Sequence, residues 1–89
     1  MVQILHVQVE APETHESHIA AVRWYNPEDG QIAIATRSVM VEFIKGGGVA
    51  YTFNGRRFAR VEVVAAATPY IRTVPDISLS DNLLSLPRF

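Results

Sequence analysis

Leu5, Val7 and Val9 alternate with His6, Gln8 and Glu10. A period of two sends side chains to opposite sheet faces, so residues 3–10 read as a strand with one buried face. Ala11 to Ser17 is polar, contains Pro12 and reads as a loop or a strand crossover. A second strand is expected over His18 to Tyr25, with Ala20, Val22 and Trp24 on one face and Ile19, Ala21, Arg23 and Tyr25 on the other. Asn26-Pro27-Glu28-Asp29-Gly30 is a turn, since Pro27 presets φ and Gly30 tolerates a left-handed corner. Gln31 to Ala35 then returns as a third strand, expected with Ile32 and Ile34 inward.

The period changes at Thr36. Val39, Met40, Phe43 and Ile44 share one face of a helix of about nine residues. Thr36 or Ser38 is its expected cap, Lys45 suits its last turn, and Gly46 is the expected left-handed stop. So short a helix is marginal alone and must pack on the sheet. Val49, Tyr51 and Phe53 share one face of the next strand. Asn54-Gly55 is a type I′ hairpin signal. Arg56 to Ala65 follows as a strand, with Ala59, Val61 and Val63 opposite Phe58, Arg60, Glu62 and Val64. Tyr70 to Val74 is a last short strand, which Pro75 ends. The expected fold is α+β in the order β-β-β-α-β-β-β: a mostly antiparallel sheet of about six short strands with one short helix on one face.

Composition narrows the picture. The chain has 89 residues, 48% hydrophobic and 19% charged, which fits one folded domain spanning residues 1–89. There is no cysteine, so disulfides, thiolate nucleophiles and cysteine-held metals are excluded. No apolar run approaches a membrane span. Met1 to Val9 lacks the basic start of a signal peptide, and a cytoplasmic protein without membrane contact is expected. The net charge is −1, which argues against a polyelectrolyte role, but it is unevenly placed. Residues 1–45 hold three basic against six acidic residues, net −3; residues 46–89 hold five against three, net +2.

Candidate chemistry is sparse. His15 and His18 have a three-residue spacing with Glu13 nearby, but a shared metal would need a helical backbone where Pro12 and a strand flank them. Gly46-Gly47-Gly48 follows the helix instead of preceding it, so its amides do not form a phosphate cradle. Asp76 and Asp81 read as capping residues on an irregular segment, and His6 as a half-exposed strand residue. No nucleophile sits in a catalytic setting; no enzyme, metal or cofactor is expected. The hairpin from Asn54 to Arg60 is the best ligand candidate. Arg56, Arg57, Phe58 and Arg60, extended by Tyr70 and Arg72, combine phosphate-binding forks with rings that stack on bases. In the tail, Ser80 or Asp81 is the expected start of one helical turn, and Leu83, Leu84 and Leu86 must lie on the core or on a second subunit.

The run Tyr70-Ile71-Arg72-Thr73-Val74-Pro75-Asp76, followed by Asp81-Asn82-Leu83-Leu84-Ser85-Leu86-Pro87, resembles domain-of-unknown-function family 3892. Ala50-Tyr51-Thr52 after a threonine-started helix and a glycine loop, and His18-Ile19 followed by Val22 and Trp24, are similar to that family as well. The resemblance covers nearly the whole chain. It implies a small bacterial or phage-associated protein and no known activity. The family often carries cysteine shortly after the tail proline; Arg88-Phe89 stands here, so no cysteine chemistry carries over. The favoured expectation is a non-enzymatic binding or interaction module with a protein partner or self-association, dimeric through a strand edge or the leucine tail. The alternative is nucleic-acid or phosphate-ligand binding through the arginine-bearing hairpin.

Overall fold

The computed structural model describes residues 1–12, 15–53, 58–74 and 83–89. The expected Asn54-Gly55 turn, Arg56, Arg57, Glu13, Asp76, Asp81 and a helical start at Ser80 or Asp81 lie outside the described residues. Among the described residues six strands and one α-helix follow one another in the expected order: β1 (Val2–Val9), β2 (Ile19–Tyr25), β3 (Ile32–Thr36), α1 (Arg37–Lys45), β4 (Ala50–Phe53), β5 (Phe58–Val64) and β6 (Tyr70–Thr73). Short 3-10 turns occupy Glu16–His18 and Leu83–Ser85.

The strands form one sheet in the order β3-β2-β1-β4-β5-β6. The sheet is mixed: β1 and β4 run parallel, Val2 to Ile4 beside Ala50 to Thr52, and the other pairs are antiparallel. The parallel pair follows from α1, which returns the chain across the sheet before β4 begins. Beyond Ile4 the free side of β1 takes up the tail. Val7 donates its amide to the Pro87 carbonyl at 3.0 Å, and the Phe89 amide donates back to the Val7 carbonyl at 3.2 Å.

The sheet curves around α1, which packs on β2 and β3 at one side and on β5 and β6 at the other. In a flat sheet β2 and β6 would stand four strand spacings, about 19 Å, apart. Instead, the turn leading into β2 meets β6. The Thr73 amide donates to Glu16 Oε2 at 3.2 Å, and the His15 and Tyr70 rings lie edge to face at 5.4 Å.

Ile4, Val7, Ile19, Val22, Val61, Ile71 and Leu83 are sealed in the core, joined by Met40, Val41 and Leu86. Several expected faces are corrected. In β1 the inward set is Val2, Ile4 and Val7, with Val9 packed against them, because Leu5 is bulged out between the pairs Ile4–Trp24 and His6–Arg23. Ala20 is skipped in the same way on β2, which returns the register and turns Ile19 inward beside Val22. On α1 the buried positions are Met40 and Val41; Val39 and Phe43 stay exposed at its side. Ile32 and Ile34 point outward, and Ala35 is the buried β3 residue beneath the helix. Thr36 caps α1, accepting the Val39 amide at 3.3 Å. The left-handed residue is Gly47 (φ 101°) rather than Gly46 (φ −80°).

Candidate binding surface

The helix covers one face of the sheet. Strand alternation turns the other set of side chains to the outer face, and the pairings align them in rows. One row crosses five strands: Ile32 pairs with Tyr25, Tyr25 with Gln3, Gln3 with Tyr51 and Tyr51 with Arg60. A second row holds Ile34, Arg23 and His6, with the Arg23 guanidinium 5.0 Å from the centre of the Phe89 ring. This row ties the tail to the outer face as the backbone pairing ties it to β1.

At the β4–β5 end the surface is aromatic. Phe53 and Phe58 are directly paired and stacked at 4.5 Å, with planes 25° apart. Tyr51 meets Phe58 edge-on at 6.4 Å. An open apolar groove of about 710 Å³ continues from Tyr51 and Phe58 to Phe43, Gly48 and Met1. The Phe43 ring lies over Gly48: a Cβ there would stand 2.5 Å from its outer carbons, so any other residue would push the ring aside.

The residues expected to bind phosphate are only partly assembled. Phe58 is 51% exposed and Arg60 is exposed beside it, its guanidinium without a partner among the described residues. Arg72 is held by Glu62, Nε to Oε1 at 2.8 Å, and that hydrogen bond stabilises its charged form further. Tyr70 stands opposite Val64, farther along β5 than Arg60, and its ring is engaged by His15. Leu83 and Leu86 are buried in this chain's own core, and Leu84 is half-buried against it.

The histidine pair does not converge. The His15 and His18 rings lie edge to face at 6.4 Å, and His15 Nδ1 is occupied by the Ser17 amide at 3.0 Å. Among the described residues no three side chains of metal-binding type cluster, and no helix is long and apolar enough to cross a membrane. Burial of Glu16 pushes its carboxyl above the ordinary carboxylate range, opposed by the Thr73 hydrogen bond and by the His15 and Arg72 charges.

The surface residues missed by sequence reading are Gln3, Tyr25, Tyr51, Ile32 and Ile34. β3 reads Ile-Ala-Ile-Ala, apolar on both faces, so alternation could not say which face is covered. The usable signal was steric: a helix that starts immediately after a strand needs small residues beneath it, and the alanines supply that room.

Comparison with known proteins adds a family and nothing on activity. No curated protein and no solved structure matches the chain. The model of the family described as Protein of unknown function (DUF3892) matches residues 3–87, and the chain belongs to that family.

Proposed function

We propose that this protein is a non-enzymatic interaction module whose working surface is the outer face of the sheet. One observation carries the reading: Ile32, Ile34 and Phe58 stand 61%, 58% and 51% exposed on that face, Ile32 in one row with Tyr25 and Tyr51, Ile34 beside Arg23, and Phe58 stacked on Phe53. Apolar side chains scattered singly over a surface need no explanation, but apolar and aromatic side chains gathered on one face and rimmed by polar ones mark a contact site. The leucine tail is spent on the core, so it offers little to a partner.

The test is site-specific photo-crosslinking in cells, with the crosslinker placed at Ile34, at Phe58, and at the exposed helix residue Glu42. Adducts are expected from the first two positions and not from the third. Adducts from Glu42 alone would overturn the reading.

A second reading is favoured by one specific feature, the Arg60 guanidinium, without a partner among the described residues, beside the Phe53–Phe58 stack. Single-stranded nucleic acid binds to rings flanked by cations, weakening steeply with salt. Fluorescence anisotropy with a labelled single-stranded oligonucleotide decides it. Binding that falls with salt, with a slope flattened in Arg60→Ala, supports this reading; no binding at low salt removes it.

A further inference from the structure

We propose that the outer surface is completed by a second copy of this chain, the two β3 strands pairing antiparallel with Ala33 on the two-fold axis. This rests on the outer-face reading and names its occupant.

The first ground is a strand edge with which no described residue pairs. β3 ends the sheet. The Asn26 amide donates to the Gln31 carbonyl at 2.8 Å, which sets the phase of the antiparallel ladder. Gln31, Ala33 and Ala35 therefore turn their backbone groups to β2, and Ile32 and Ile34 turn theirs away from the sheet. Natural edges are usually blunted by charge, proline, bulges or a covering segment. Ile32-Ala33-Ile34-Ala35-Thr36 has no charge and no proline, and its pairing with β2 is unbroken. Apolar side chains also flank the edge on both faces. Ile32 and Ile34 lie on the outer side, and Val39, 58% exposed, lies on the helix side above Ala35 and Trp24.

The second ground is that the edge is complementary to itself. With Ala33 on the axis, Ile32 of each copy faces Ile34 of the other. These are the residues whose amides and carbonyls point outward, so both pairs form hydrogen-bonded rungs. The axis falls on a non-hydrogen-bonded pair, where strands approach most closely, and alanine is small enough to sit there. A foreign strand would need to present the same isoleucine–alanine–isoleucine pattern in the same phase; a second copy does so by symmetry.

The chain has no cysteine, so single cysteines read the register directly. Light scattering on the purified full chain should give twice the chain mass at high micromolar concentration. Ala33→Cys should form a disulfide dimer on mild oxidation. Ile32→Cys and Ile34→Cys should each fail alone, because their equivalent Cα atoms stand more than about 7 Å apart, yet link when mixed. Ile34→Lys should reduce the mass to that of one chain while keeping the native circular dichroism spectrum. A monomer at every concentration, a dimer indifferent to Ile34→Lys, or equal cross-linking from all three positions overturns the proposal. A monomer that still gives adducts with another protein from Ile34 and Phe58 overturns self-pairing alone. A monomer without such adducts overturns the outer-face reading too.

Discussion

Leu83 is the sharpest test of how this fold is held together. It is 0% exposed, in the core cluster with Ile4, Val7 and Ile71, although it lies only six residues before Phe89. Leu83→Ala removes the buried branched end and leaves a cavity, and buried Leu→Ala changes cost about 2–5 kcal/mol. Full burial puts Leu83 in the middle of that range, about 3–4 kcal/mol, against a total of about 4–13 kcal/mol for a chain of this length. The melting temperature should fall by about 15–25 °C, from about 4–8 °C per kcal/mol in domains of this size. Leu84→Ala is the internal control: its side chain is half-buried, so about 1 kcal/mol is expected. Trp24, the one tryptophan, packs against the core and reports unfolding in urea by its fluorescence. A Leu83→Ala midpoint equal to that of the parent, or a larger loss from Leu84→Ala, would refute the placement of the tail in the core.

Glu16→Gln should be at least as stable as the parent at neutral pH, with the difference vanishing in acid. Burial raises the Glu16 pKa, so its stability is fully present below the unfolded value and lost as pH rises through the folded one; thermal melts across that range check it. Gly47→Ala should cost about 1–2 kcal/mol, because φ is 101° there. Gly48→Ala should cost less, displacing the half-exposed Phe43 ring, and the shifted ring resonances in NMR would report it. Arg72→Ala should leave the urea midpoint close to that of the parent, since the Glu62–Arg72 pair is exposed at 37% and 43%; a large downward shift of the midpoint would contradict that.

Element order was legible because each local signal agreed with its neighbours. The Thr36 cap, the Asn26–Gly30 turn and the Ala59/Val61 face of β5 all stand where the residues place them. What was hidden depended on partners distant in sequence. The doublet Ile4-Leu5 joins two alternations of opposite phase, and only the pairing with β2 shows that Leu5 is the residue set aside. Val39 and Phe43 belong to the expected helix stripe and Val41 does not, but contact with β2 and β3 on one side and β5 and β6 on the other selects Met40 and Val41. The arginine cluster looked continuous as a string. Glu62 sits opposite Arg72 only once β5 and β6 are paired, and that pairing leaves Arg60 as the free charge among the described arginines of β5 and β6.

The threading of residues 87–89 along β1 has a consequence for synthesis. β1 is made well before Pro87 and Phe89, which supply its pairing at Val7. Until those residues clear the ribosome, the middle of the sheet presents an open backbone edge, and the site that Leu83 fills stands empty. Hairpins such as β2–β3 can close earlier in translation, but the final packing waits for residues 83–89, as contacts of long sequence separation require. Slowing the codons of residues 83–89 would therefore lengthen the interval in which the nascent chain can pair with its neighbours on a polysome.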